Sequence, residues 1–217
     1  MHKKQVVADV LFIVQIVCTI IAGVTQFQAL LVSAQGIPLM WFTTWIIFLV
    51  LNLYLGFEAH KAQPSRVTLQ TLLSYSLWMV VIVSHLGVML WRGLWQWGNA
   101  DTLTLVITGV GVIFVLLVAR RRSLGIADPI VKGWVAVFCK TVPQFFLAVR
   151  IFQEGGAGLA LSAIITGHIT ICTRLGQLYF SWREAGWDRN RIGSALSEMG
   201  NEATWILVTV AWLMSEN

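Results

Sequence analysis

Seven stretches of mostly apolar residues, each about twenty long, run through this chain between short polar segments. They span 6–32, 38–57, 67–90, 102–119, 132–152, 159–180 and 196–214. A helix needs about 20 apolar residues to cross the hydrocarbon layer of a bilayer. The separators, such as "EAHKAQPSR", "RRRSLGIADP" and "QEGGAG", hold the glycines, prolines and charges expected of loops. Hydrophobic residues make up 57% of the chain and charged ones 12%, against about 25% charged in soluble domains. A water-soluble core built from 217 residues could not hide so much apolar surface. The predicted fold class is therefore all-α: a polytopic membrane protein of seven transmembrane helices, with the lipid bilayer as its first partner. Eleven tryptophans fit that setting, because their rings favour the headgroup boundary. The basic head and long apolar run at the start exceed a signal peptide, so they read as the first span.

Basic residues are divided unevenly. Eleven fall on the side of the N-terminus (Lys3, Lys4, Lys61, Arg66, Arg120, Arg121, Arg122, Lys132, Arg183, Arg189 and Arg191), whereas only Arg92 and Arg150 fall on the other. The positive-inside rule then puts the N-terminus in the cytoplasm and, with seven spans, the C-terminus outside. The formal charge of +5 is an orientation signal spread over short loops. Nucleic-acid binding would need a basic face with stacking aromatics, so no nucleic-acid partner is expected.

Catalysis finds little support. Cys18, Cys139 and Cys172 lie in apolar runs without a CxxC pair, and no histidine stands at metal-ligand spacing. They read as buried free thiols, with no cofactor and no metal implied. No nucleophile–base set emerges either, so the chain does not read as an enzyme. The last span, "SALSEMGNEATWILVTVAWLM", has no lysine for a retinal Schiff base.

The chain also repeats itself. "VTQF" (24–27) returns as "VPQF" (142–145), each followed by a polar or glycine turn and another apolar span. "SYSLWMVV" (74–81) matches "NEATWILV" (201–208), with Trp78 over Trp205. Spans 1–3 and 5–7 thus read as one unit used twice around a connector. The units are 1–92 and 131–217, joined by the linker helix in 93–130. Two three-helix units with an odd linker stand parallel in the membrane, one of the known transporter plans.

A Pro-Gln pair late in the first helix, a short turn, then two more helices, all duplicated around one connector, resembles the PQ-loop/SWEET superfamily. The resemblance covers nearly the whole chain. It implies alternating-access transport of a small polar solute such as a sugar, amino acid or organic acid. The KDEL receptors, on the same architecture, supply the alternative of a binding or sorting receptor. The first unit carries Thr25-Gln26 where the family has Pro-Gln. By the resemblance, Asn52 takes the place of a substrate-lining tryptophan, Asn201 that of a pocket asparagine, and Ser74 is its counterpart in the first unit. Arg174 falls on Asn52 when the units are aligned. Asn52, Ser74, Arg174 and Asn201 should therefore ring one site walled by Trp78 and Trp205. A homo-oligomer is compatible with this, although the duplicated chain already holds both halves.

Chemistry sharpens these expectations. Proline removes a backbone donor and clashes with the carbonyl four residues back, here that of Cys139. Pro143 with Gln144, and Thr25 with Gln26, are thus the candidate hinges; Thr25 can bond the Ile21 carbonyl and bend its helix. Glu198, Asn201, Glu202, Trp205 and Thr209 share one helical face. A carboxylate in mid-span costs at least about 2.5–3.5 kcal/mol, so Glu202 should face the interior, pair with Arg174 and serve proton coupling. Glu198, nearer the boundary, reads as solvated, as does Asp9. Arg174 in the ring favours a substrate with a carboxylate or phosphate. Lys140 is a further candidate for that cavity, while His85 and His168 read as hydrogen-bonded packing residues.

Overall fold

A computed structural model of the chain describes the backbone of residues 2–215 and the side chains of 6–215. Met1, Glu216, Asn217 and the side chains of 2–5, including Lys3 and Lys4, lie outside the described residues. The fold is all-α, with no strand among the described residues. Seven helical rods follow the seven apolar runs: α1 (His2–Val32), α2 (Leu39–Ala62), α3 (Arg66–Trp91), α4 (Asn99–Arg121), α5 (Pro129–Glu154), α6 (Leu161–Ala185) and α7 (Arg189–Ser215). Five of them, α1 to α5, are long and apolar enough to cross a membrane; α6 and α7 are long but more polar.

Local chemistry sets the rod ends. Ser65 and Thr68 form a reciprocal capping box that starts α3. Asp128 caps α5 by accepting from the amides of Ile130 and Val131, with Pro129 in the first turn, where its missing N–H costs nothing. Arg189 also donates to the Asp128 carboxylate at 2.7 Å. Partial desolvation pushes this carboxyl up, but those hydrogen bonds outweigh it and hold the group below the usual carboxylate range. At the other end of α5, Gly155 takes φ +96°, a conformation other residues rarely adopt.

The expected break at Pro143 is a widening instead. Residues Val137–Thr141 form a π turn inside α5, in which the Val142 amide reaches back five residues to the Val137 carbonyl. The helix absorbs the missing proline donor by adding one residue to the turn. In α1, Thr25 does bond the Ile21 carbonyl, at 2.7 Å.

Helix α3 packs against both α1 and α2, and α7 against both α5 and α6. The two trios meet where α1 lies along α6 and α2 meets α5, with α4 against α5 and α2. Leu30, Phe42, Leu49, Met89, Leu147, Ile151, Ile164 and Val208 are buried between them. Outward faces are apolar too: Leu103, Val106, Val110, Phe114 and Leu117 stay exposed along α4. Such a stripe is a liability in water and ordinary against lipid.

Contacts define two ends. At the near end, where α1 begins, Asp9 pairs with Arg66 at 2.7 Å rather than standing solvated. There the backbones of α5 and α7 touch: a Cβ on Gly193 would lie 2.0 Å from the Pro129 carbonyl oxygen, and one on Gly133 2.6 Å from that of Gly193. At the far end the α1–α2 and α5–α6 turns interlock. A Cβ on Gly36 would lie 2.1 Å from the Gly155 oxygen, and the Gly158 amide donates to the Gln35 carbonyl.

Candidate functional site

A chamber lies between the two trios, with about 70 Å³ open to the centres of water molecules. Its wall is aromatic: Trp41, Trp45, Phe48, Tyr75, Trp78 and Trp205. The Trp41 and Trp205 rings stack at 6.2 Å, and Trp45 meets Trp78 edge-on at 5.5 Å. Gly167 makes the space for Trp205, since a Cβ there would lie 2.4 Å from the indole nitrogen. That nitrogen donates to the Ile164 carbonyl. The indole N–H groups of Trp41 and Trp45 and the Asn201 side-chain oxygen are buried without a partner.

Charge enters at one place. Lys140, 3% exposed, sits in the π turn and faces the rings of Phe48 at 5.2 Å and Trp45 at 5.9 Å. The wider turn carries it into the interior one turn before Pro143. Arg174 of α6 lines the same chamber. Glu198 approaches both cations, 3.7 Å from Lys140 Nζ and 3.4 Å from Arg174 Nη1. Turned with its oxygen toward the guanidinium, the Gln15 amide accepts from Arg174 Nη2 and Nε at 2.8 and 3.1 Å. Charge-assisted hydrogen bonds usually lie near 2.7–2.9 Å, so the Glu198 contacts are loose ones.

A second, more polar cavity of about 190 Å³ opens toward the near end. Glu198, Asn52, Lys132 and Ser194 line it, and Phe48 and Tyr75 belong to both cavities. The two rings stand edge-on at 6.1 Å and form the partition between vestibule and chamber.

The far end is tied shut by tighter bonds. Asp101, fully buried at the start of α4, accepts from Arg150 at 2.9 Å, from the Met40 amide that opens α2, and from the Gly98 amide. Arg150 also donates to Glu154 at 2.9 Å. Gln26 spans the trios, donating to the Gly158 carbonyl at 2.7 Å and accepting from the Ala160 amide at 3.0 Å. Gln35 donates to the Glu154 carbonyl.

Against the expected ring, Arg174, Asn201, Trp78 and Trp205 do line the chamber, as do Gln26 and Gln144. Asn52 lines the vestibule instead, its amide tied to the Phe48 carbonyl, and Ser74 is buried outside both linings. The partner expected for Arg174 is wrong. Glu202 bonds His168 at 2.7 Å on the α6–α7 seam, where His168 also meets Thr209, and Glu198 takes the place beside Arg174. Glu198 is correspondingly paired and mostly withdrawn from solvent rather than freely solvated, with 13% of its side chain exposed. His85 is a packing residue, its Nε2 2.9 Å from the Gly23 carbonyl. Gln144 accepts from Thr204 at 2.8 Å. Cys18 and Cys139 are buried free thiols, whereas Cys172 is exposed. Arg150, expected as a far-side cation at a helix end, is a buried clasp there.

Trp41 and Trp45 went unnoticed in the sequence, although "WFTTW" puts both indoles on one helical face. No family model, curated protein or solved structure matches the chain, so its function has to be read from this geometry.

Proposed function

We propose that the chain is a multi-pass membrane transporter that moves a small polar solute by alternating access. Seven spans form two parallel three-helix repeats, 1–92 and 131–217, around the linker helix in 93–130, with the N-terminus in the cytoplasm. The resemblance to the PQ-loop/SWEET superfamily belongs to this reading.

One observation carries it. The central chamber has a polar vestibule at one end and a bonded closure at the other, the asymmetry that a carrier caught facing one side requires. Supporting the repeat are the equivalent packings of α3 and α7 within their trios and the crossed contacts of α1 with α6 and α2 with α5. The substrate site comprises Trp41, Trp45, Trp78, Arg174, Asn201 and Trp205. The π turn before Pro143 is the joint. Glu202, with His168, is the candidate for proton coupling, because two ionisable groups bonded to each other within a span are the usual parts of a proton relay.

The test is a thermal-shift screen of purified full-length protein against sugars, amino acids and organic acids, followed by counterflow of the best ligand in proteoliposomes. Saturable counterflow is the expected result. Binding without any flux would overturn transport in favour of a one-sided receptor.

A further inference from the structure

Two cations, Lys140 and Arg174, line the chamber, and the one carboxylate beside them, Glu198, lines the vestibule. Lys140 is 97% buried by its 3% exposure, where an uncompensated charge is strongly unfavourable. The two contacts to Glu198, at 3.4 and 3.7 Å, contrast with the 2.9 Å bond of the Asp101–Arg150 clasp. The clasp is a structural pair at full hydrogen-bond distance. The trio at the chamber floor has a positive charge left over and donors only partly engaged: Gln15 and Glu198 leave part of the guanidinium free.

Above that floor the polar groups are few, and several are unsatisfied. The indole N–H groups of Trp41 and Trp45 want acceptors, whereas Asn201 offers an acceptor oxygen. Gln26, which could have added more, has both ends of its amide committed to the Gly158–Ala160 turn. A sugar, with a hydroxyl on nearly every carbon, would leave most of its groups unpaired here, and each unpaired buried group costs binding. A flat ring fits the aromatic wall by edge and offset face contacts. The room is small, about 70 Å³, against about 150 Å³ for an apolar cavity that holds benzene, so a single ring with a short head is the upper limit and enters only as the aromatic wall gives way.

We infer that the solute is a planar, single-ring monocarboxylate, its carboxylate on Lys140 and Arg174 and its ring among Trp41, Trp45 and Trp205. The guanidinium fork suits a carboxylate, and the ring nitrogen of a heteroaromatic would accept from the Trp45 indole N–H. The inference rests on the transport reading for its biological sense, but its binding chemistry stands apart from flux.

Isothermal titration of the purified full-length protein tests it with four probes: benzoate and nicotinate as ring acids, nicotinamide as the neutral isostere of the latter, and cyclohexanecarboxylate as an acid of similar size without a flat ring. The ring acids should bind, and nicotinamide and cyclohexanecarboxylate should each bind roughly tenfold to a hundredfold more weakly. Arg174→Gln should erase the preference for nicotinate over nicotinamide, and Arg174→Lys should keep part of it. Trp45→Phe, which keeps a ring and folds without a buried unpaired donor, should weaken nicotinate more than benzoate. Equal binding of nicotinamide and nicotinate overturns the anion requirement; equal binding of cyclohexanecarboxylate and benzoate overturns the flat ring. Absence of binding to all four overturns the inference as a whole, while counterflow of a different solute would leave transport standing. Conversely, tight nicotinate binding with no counterflow supports this assignment and sinks transport.

Discussion

Asp101 shows what one side chain can hold. It has no exposed surface, and it joins the start of α2, through the Met40 amide, to Arg150 of α5. Asp101→Asn keeps an acceptor for the amide but leaves Arg150 with Glu154 alone. A stability loss of about 3–5 kcal/mol is expected, the usual result of stripping a buried charge of its partner. Thermal unfolding of the purified variant checks it, and a loss no larger than that of a surface substitution would remove the clasp from the account of the closed end. Glu202 makes the opposite kind of test. Glu202→Gln keeps a hydrogen-bonding group beside His168, so folding should survive while proton dependence of flux is abolished. Unchanged pH-dependent uptake in vesicles would rule Glu202 out of coupling. Which carboxylate stands beside Arg174 was legible only to within one turn: Glu202 was expected and Glu198 is found. Glu198 and Glu202 differ by about 40° and 6 Å on their helix, and only the register of α6 against α7 decides which of them meets the guanidinium.

Among the helices, α5 shows most clearly what sequence can and cannot reveal. Its existence follows from an apolar run, and trouble at Pro143 follows from a missing N–H. The form that trouble takes does not. A helix can kink, break or widen, and here it widens because neighbours on α2, α4 and α7 hold the rod continuous while one extra residue enters the turn. Lys140 owes its inward position to that turn. Pro143→Ala restores the donor to the Cys139 carbonyl and favours an ordinary α-turn. Exchange across liposomes should slow while equilibrium affinity stays within about twofold, since the expected change is in the joint rather than the wall. If counterflow is as fast as in the native chain, the π turn is a passive accommodation. The aromatic pair on α2 was legible in "WFTTW" at four-residue spacing, but nothing in the sequence says that this face looks inward, because α2 is apolar all round.

Over the whole molecule, the seven helices and their order were readable from the alternation of apolar runs with polar separators, although only five of them are apolar enough to cross a membrane, whereas the closures at the ends were not readable. The far-end lock consists of side chains bonding to loop backbone across 132 residues of sequence, Gln26 to Gly158, and no local pattern encodes such a pairing. The Gln26→Ala variant frees both the Gly158 carbonyl and the Ala160 amide. Far-end opening should become more frequent, and cysteine labelling tests it. In a cysteine-free background, Ile37→Cys, at a position only 1% exposed, should react with an impermeant maleimide faster when Gln26 is also replaced. An unchanged labelling rate would mean that the turns hold each other without that amide. At the opposite end, the bare backbones of α5 and α7 rest on one another at Gly133 and Gly193, with the Asp128–Arg189 pair alongside. Main chain against main chain leaves no side-chain cushion to compress or re-pack, so these two rods have to travel as a single stiff body there. On the proposed transport reading, the parting of Phe48 from Tyr75 then falls to α2 and α3, which carry the two rings, making the mouth a one-jawed clamp.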